Sequence, residues 1–268
     1  MGTRFDPSAL LETLKTRAPL VHCLTNRVTV TPMANALLAI GAAPVMTDHP
    51  DDAEQMTASA DALLINLGTP TQESLEAMTR SVRVAAADHR PWVLDPVGVG
   101  ATRFRRTAAH ALLEYQPTAV RGNASEIMAL ADEAITGRGV DTQHTVEDAT
   151  EAANALLSYS KGVAISGQQD HLLTELGHWQ LTGGSAWQPR VTGTGCVLGA
   201  LMAAYGAVSD EPFEALAAAH LHAAIAAELA EARAEGPASF ASAWLDALAR
   251  DDLALTERAI ERVHALGV

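Results

Sequence analysis

The chain has 268 residues, 48% of them hydrophobic, which suffices for one large α/β domain with a substantial core. Its formal net charge of −14 argues against nucleic acid or an anionic membrane as a partner. Cys23 and Cys196 have no metal-binding spacing, and such low cysteine use fits the reducing cytoplasm. The sequence contains no signal-peptide pattern and no apolar run approaching the ~20 residues of a membrane span.

The hydrophobic pattern alternates between helices and strands along the chain. Predicted helices cover 8–17, 31–40, 51–60, 71–88, 124–131 and 146–160, and the chain is almost all helix from 195, with a break at 235–240. Predicted strands cover 19–25, 41–46, 60–68, 91–98, 117–121 and 161–167, and segments 171–177 and 178–184 form a small hairpin. This alternation predicts an α/β fold with a mostly parallel sheet and helices on both faces, as a single domain over 1–268.

Polar groups follow five of these elements, where ligands bind in such sheets. They are Asn66-Leu67-Gly68, Asp95-Pro96-Val97-Gly98, Arg121-Gly122-Asn123, Ser166-Gly167 and the loop VTGTGC at 191–196. Packing alone explains the presence of one such motif, but it explains poorly why five of them converge at one edge of the sheet. Cys23 lies on an apolar strand and is expected in the core, while His220 and His222 are expected to be ordinary helix or interface residues.

The loop VTGTGC has the composition of an anion site next to a reactive group. Gly193 and Gly195 permit a tight turn, and the helix that follows directs its free N–H groups and positive dipole end into that turn. A thiol at such a helix N-terminus, here Cys196, is of the kind whose pKa is lowered.

The other strand ends supply a cation and two acids. Arg121 could neutralise phosphate oxygens, and Asp95 and Glu126 could hold Mg²⁺ directly or through water. Glu126 also stands three residues after Asn123, so the two could instead cap a helix. Phosphoryl transfer requires a metal ion, a cationic group, an anion hole and a positioned hydroxyl.

Several stretches, in this order, resemble the hydroxyethylthiazole kinase family of thiamine biosynthesis and salvage. They run from about His22 to about Phe240 and are TNRVTVTPMANALLAIGAAPVM, LLINLGT, VLDPVGVGAT, RGNASEIMALA, GVD at 139–141, ISGQQD and VTGTGC. The segments GPASF and LDAL match the C-terminal helices of the family more loosely. The resemblance implies a ribokinase-like three-layer fold and a homotrimer with active sites at subunit interfaces. It also implies phosphorylation of the primary alcohol of 4-methyl-5-(2-hydroxyethyl)thiazole by ATP and Mg²⁺.

The resemblance also implies roles for individual residues. The alcohol substrate would be contacted by Met46, Asn26, Gly68 and Gly193. The ATP phosphates would be contacted by Arg121 and, from a position where the family often has threonine, by Ser166. The residues around Mg²⁺ would be Asp95 and Glu126. The anion hole would be formed by Gly193, Thr194, Gly195 and Cys196.

The resemblance also implies that Cys196 takes the place in which related sugar kinases have an aspartate that acts as general base. A thiol with an ordinary pKa of ~8.5 is only a few per cent thiolate at neutral pH. Phosphoryl transfer, however, often needs little deprotonation of the nucleophile. The sequence therefore predicts that Cys196 orients the alcohol and accepts its proton at most weakly, without a covalent intermediate.

The segment LTGGSAWQPR before the loop departs from the family, which has a pattern like N-G-H-P-L-M there. Trp187 could reshape the pocket or pack structurally, and packing is the preferred interpretation. Two alternatives to the thiazole kinase remain open: a kinase of the same fold for another small vitamin-precursor alcohol, and a non-catalytic ligand-binding trimer.

Overall fold

A computed structural model describes residues 5–135 and 146–267, so the GVD stretch at 139–141 lies outside the described residues. The strands are β1 Leu20–Leu24, β2 Ala43–Val45, β3 Ala62–Asn66, β4 Trp92–Asp95, β5 Ala119–Asn123, β6 Gly162–Ser166, β7 Asp170–Thr174, β8 Gly177–Leu181 and β9 Val263–Gly267. The helices are α1 Pro7–Arg17, α2 Val30–Ala39, α3 Pro50–Ser59, α4 Gln72–Ala87, α5 Arg103–Leu113, α6 Ala124–Ile135, α7 Val146–Leu156, α8 Thr194–Gly206, α9 Pro212–Glu231, α10 Pro237–Leu248 and α11 Leu255–Arg262.

The described strands form one sheet in the order β2-β1-β3-β4-β5-β6-β7-β8-β9. The first six of these are parallel to one another, and β7, β8 and β9 extend the sheet with antiparallel pairs. The predicted hairpin is therefore confirmed, and it belongs to the central sheet. The sequence order reverses between β1 and β3, which is where open α/β sheets form a ligand crevice.

Two hydrophobic cores, one on each face of the sheet, give the fold its three layers. Alternate strand residues point to opposite faces, so Val21 and Leu64 enter one core and Leu63 and Ile65 the other. Helices α1, α2 and α8 to α11 cover the first core, and α3 to α7 cover the second. Cys23 is buried in the first core, as predicted.

The sequence pattern did not predict helix α5 or strand β9. Helix α5 lies between β4 and β5, and β9 occupies part of the C-terminal region expected to be helical. Strand β9 pairs with β8 through a register that shifts at His178 and Trp179. The open edge of β8 therefore overrides the local helix preference of these last residues. Among helices within 5–135 and 146–267, none combines the length and apolarity needed to cross a membrane.

Candidate active site

The carboxyl edge of the parallel strands gathers the predicted strand-end groups. Four of these groups are the last residues of β3, β4, β5 and β6, namely Asn66, Asp95, Asn123 and Ser166. The strand register pairs Asn66 with Asp95 and Asn123 with Ser166. Asn26 follows β1 at the same edge. The predicted convergence of strand-end groups is thus confirmed for Asn66, Asp95, Asn123 and Ser166.

The glycine loop at 191–196 ends in the first turn of α8. Gly193 is the N-cap with a φ of 97°, a left-handed conformation that favours glycine, and a Cβ there would lie 3.1 Å from Thr29 Cγ2. The hydroxyl of Thr194 donates to the carbonyl of Gln188 at 2.9 Å, which ties the loop to the segment before it. The first N–H groups of a helix lack intrahelical acceptors, so this helix end can bind an anion.

Arg121 lies directly against this helix end. A Cβ added at Gly195 would stand 3.0 Å from Nη2 and 3.1 Å from Nη1 of Arg121. The guanidinium also donates from Nε to Ser166 Oγ at 3.0 Å, and its Nη1 lies 3.7 Å from Asp95 Oδ2. Cation, helix N-terminus and carboxylate therefore share one small region.

Asp95 is fully buried and incompletely hydrogen-bonded. Its Oδ2 accepts from Asn66 Nδ2 at 2.8 Å, whereas its Oδ1 has no hydrogen-bond partner among the described residues. Burial raises the pKa of Asp95 to about 7; the charge of Glu126 adds to the rise, and Arg121 and Asn66 oppose it. An unpartnered buried carboxylate oxygen suits a hard cation such as Mg²⁺, so this residue fits the predicted metal.

Glu126 makes the predicted capping pair with Asn123. Glu126 Oε2 accepts from the N–H of Asn123, and the N–H of Glu126 donates to Asn123 Oδ1, both at 2.9 Å. Its Oε1 accepts from the N–H of Gly98 at 2.9 Å and so joins α6 to the loop after β4. Within 5–135 and 146–267, no cluster of three or more acidic, histidine or cysteine side chains has a metal-binding arrangement.

A chain of side-chain amides connects Asp95 to Cys196. Asn66 donates to Asp95 and accepts from Asn26 Nδ2 at 2.9 Å and from the N–H of Gly68 at 3.0 Å. Asn26 Nδ2 also donates to Cys196 Sγ at 3.5 Å. Gly68 lies so close to Asn26 that a Cβ added at Gly68 would stand 2.5 Å from Asn26 Cβ. The structure therefore brings Asn26, Gly68 and Cys196 together.

The thiol of Cys196 differs electrostatically from the sequence-based expectation. Burial raises its pKa, the charge of Asp95 raises it further, and the bonds from Asn66 and Asn26 and the charge of Arg121 only partly offset this rise. The expectation of a lowered pKa was therefore wrong, because removal from water and the charge of a nearby carboxylate both raise the pKa.

Met46 follows β2 at the same edge of the sheet, half-buried against the first core. The structure therefore places Met46 at the predicted edge of the sheet.

A cavity of about 820 Å³ opens over the anion site. Its described lining includes Arg121, Glu126, Ser166 and the residues 193–196, but does not include Asn26, Met46 or Gly68. Its size suits a small cofactor or nucleotide, which typically occupies roughly 300–1,000 Å³.

The segment that departs from the family pattern forms one wall of this cavity. Gly183 and Gly184 have φ values of 126° and 100°, which favour glycine, and a Cβ on Gly183 would lie 2.8 Å from Glu228 Oε1. Trp187 instead packs half-buried against the first core, with the Arg190 guanidinium 5.1 Å from its ring centre. These contacts support the structural interpretation of Trp187.

Two contributors to the site carry no predicted role. Asn66 lies in a predicted strand-end motif, but its partners are 29 and 40 residues away in the chain. Arg105, on the unpredicted α5, donates to the carbonyl oxygens of Gly68 at 2.7 Å and of Val97 at 2.8 Å. Its clearest sequence signal is the basic run at the start of that helix.

Comparisons with known proteins identify the family to which this chain belongs. A sequence model of the hydroxyethylthiazole kinase family matches residues 11–252. A hydroxyethylthiazole kinase of Kineococcus radiotolerans is 50% identical over 236 residues, 88% of this chain and 86% of the relative. The solved structure of the Pyrococcus horikoshii OT3 hydroxyethylthiazole kinase superposes with a TM-score of 0.86 at 32% identity and covers 98% of both chains.

A Bacillus subtilis pyridoxal kinase shares the fold at 18% identity, with a TM-score of 0.60 over 78% of this chain and 91% of that one. The architecture is therefore the ribokinase-like three-layer fold expected from the sequence. The family match, the identity to relatives and the near-complete structural overlap lead to one conclusion: the chain belongs to the hydroxyethylthiazole kinase family.

Proposed function

We propose that this protein is an ATP- and Mg²⁺-dependent kinase that phosphorylates the primary alcohol of 4-methyl-5-(2-hydroxyethyl)thiazole, a step of thiamine biosynthesis or salvage. The observation that carries the proposal is the arrangement around the start of α8. Arg121, the buried Asp95 and the Cys196 thiol surround one helix N-terminus in a chain that belongs to this family.

ATP occupies the cavity of about 820 Å³ in this proposal. Its phosphates lie between Arg121, held by Ser166, and the N–H groups of Gly193, Thr194 and Gly195. These fixed donors stabilise the negative charge on the transferring phosphoryl group, which is the largest contribution that a kinase site usually makes.

Asp95 and Glu126 would hold Mg²⁺, Asp95 through its unpartnered oxygen and Glu126 through water or its remaining lone pairs. When bound there, Mg²⁺ would supply positive charge that neutralises phosphate oxygens. Burial raises the pKa of Asp95, and a bound cation would favour its ionised form.

The alcohol lies on the Asn26 side of the helix end, with Gly68, Met46 and Gly193 around it. Cys196 accepts a hydrogen bond from Asn26 and orients the hydroxyl toward the phosphate. Its raised pKa keeps it mainly a neutral thiol, which favours orientation over strong base catalysis. No covalent intermediate forms on the sulfur.

The alcohol half of the site supports a further proposal, that the protein is a homotrimer with active sites at its subunit interfaces. Asn26, Met46 and Gly68 stand outside the described cavity lining. Nearby Val28 is 61% exposed and Leu38 of α2 is 60% exposed, as surfaces for a neighbouring subunit would be. We further propose that residues 1–268 form a single kinase domain that acts in the cytoplasm.

A substrate panel tests this proposal. ADP release is measured with Mg-ATP and the hydroxyethylthiazole, with a no-alcohol control and with pyridine and pyrimidine vitamin-precursor alcohols in parallel. We expect turnover with the thiazole, and we expect the Arg121→Ala substitution to abolish this turnover. Turnover with only a different alcohol would overturn the assigned substrate, and ADP release with none of them would overturn the kinase assignment.

A further inference from the structure

A buried histidine–carboxylate pair lies along the wall of the cavity, behind the phosphate-binding groups. His220 of α9 is 1% exposed, and its Nδ1 lies 2.6 Å from Oδ2 of Asp170, the first residue of β7. Both residues line the cavity. At this distance the Nδ1 proton is donated to the carboxylate.

The other oxygen of Asp170 closes the turn between β6 and β7. Its Oδ1 accepts from the N–H of Gly167 at 2.9 Å. The strand pairing ends at Ile165 and His171, so the intervening residues lie beyond the paired register. The carboxylate therefore fixes this turn from within.

Ser166 stands immediately before that turn, and its hydroxyl accepts from Arg121 Nε at 3.0 Å. The remaining guanidinium nitrogens face the start of α8 and Asp95. Hydrogen bonds thus connect α9 to Asp170 and Asp170 to Gly167, the peptide bond joins Gly167 to Ser166, and a further hydrogen bond joins Ser166 to the arginine that faces the anion site.

We propose that His220 is a positioning residue for the nucleotide, because it holds Asp170 and, through the Gly167 turn, sets Ser166 and the Arg121 guanidinium. This inference deepens the proposed function and rests on it, since it takes ATP as the ligand of the cavity. Asp170 suits the role because it stays ionised. Burial would raise its pKa, but the charge and hydrogen bond of His220, together with the Gly167 N–H and Arg121, lower it overall.

The test measures ADP binding by titration calorimetry in His220→Leu, which keeps the volume but removes the Nδ1 donor. We expect the dissociation constant of ADP to rise about tenfold, because a hydrogen bond to a charged group is lost. His220→Asn retains an N–H close to the Nδ1 position and should restore binding to within about threefold.

His222→Leu is the matched control. His222 lies on the same helix, is equally buried, and bonds to Tyr205 and the Leu248 carbonyl instead of to Asp170. We expect it to bind ADP like the parent protein, even where it lowers the melting temperature. In turnover assays, His220→Leu should raise KM for ATP and leave KM for the alcohol unchanged.

Unchanged ADP affinity in a folded His220→Leu protein would overturn this inference alone. Equal weakening in His222→Leu, or no recovery in His220→Asn, would also overturn it, since the loss would then reflect general damage to α9. If His220→Leu fails to fold, Asp170→Asn replaces it, and normal ADP binding in that variant overturns the inference. A parent protein that binds no ADP overturns the proposed function together with this inference.

Discussion

Substitution of Gly68 by alanine perturbs the alcohol side of the site without touching any of the reacting groups. The new Cβ would stand 2.5 Å from Cβ and 2.7 Å from both Cγ and Nδ2 of Asn26. Asn26 must therefore retreat by about 1 Å to reach ordinary van der Waals contact. Since Asn26 is 5% exposed and hydrogen-bonded, it has little room to do so.

The shift changes the two bonds that Asn26 Nδ2 makes, at 2.9 Å to Asn66 and at 3.5 Å to Cys196. A misplacement of about 1 Å in a positioning group can cost roughly 100-fold in rate. Overpacking of this kind also lowers the free energy of unfolding by about 1–3 kcal/mol. We expect kcat with the thiazole alcohol to fall by one to two orders of magnitude, that is by about 10- to 100-fold.

The assay compares kcat with the ADP dissociation constant, which should stay near the parental value because Arg121 and Ser166 keep their contacts. Gly206→Ala, at the end of α8, is the matched control, since among the described residues its Cβ would meet only Pro91 Cβ, at 3.6 Å. A folded Gly68→Ala enzyme with parental kcat would refute the role given to Asn26. Loss of kcat in Gly206→Ala would show that the assay reports general damage.

Three further predictions concern single groups. Asp95→Asn should lower kcat by at least about 100-fold. Without Mg²⁺ this variant should bind ADP at least as tightly as the parent, because a carboxylate 3.7 Å from Arg121 no longer repels phosphate. Weaker metal-free binding of ADP on calorimetry would contradict this prediction. Cys196→Ser should lose less than about 100-fold in kcat, because the hydroxyl can accept the Asn26 bond; detection of phosphorylated Cys196 by mass spectrometry during turnover would be inconsistent with an orienting role. Burial lowers the pKa of His222 from 6.5 to about 4. The contribution of neutral His222 to the free energy of unfolding is therefore fully present above pH 6.5 and is lost as the pH falls toward 4. The difference in unfolding free energy between the parent and His222→Gln should then shrink by ~1.4 kcal/mol per pH unit across that range in denaturant titrations, and a flat difference would exclude the buried neutral histidine.

The layered fold could be predicted because its signals are local. Runs such as the one ending at Asn66 combine apolar residues with a polar end, and parallel strands bring such ends to one edge. The capping pair of Asn123 and Glu126 could likewise be predicted from the three-residue spacing between them. Strand β9 could not, because its conformation comes from pairing with β8.

The candidate site was predictable in its residues but less so in its electrostatics. The pKa of Cys196 depends on burial and on Asp95, neither of which a local motif reveals. The central role of Asn66 depends on partners contributed by other strands. His220 carried no sequence signal either, since its contact with Asp170 spans 50 residues of chain. Long-range contacts of this kind decide how a predicted site functions.

The central claim is that this chain transfers the terminal phosphoryl group of ATP to the hydroxyethyl oxygen of the thiazole. The most direct measurement follows the label from γ-³²P-ATP in the presence of Mg²⁺ and identifies the labelled product by chromatography and mass spectrometry. We predict a labelled thiazole phosphate that forms with the parent protein and is absent with Arg121→Ala. Label released only as inorganic phosphate, or carried by the protein instead of the alcohol, would contradict the account.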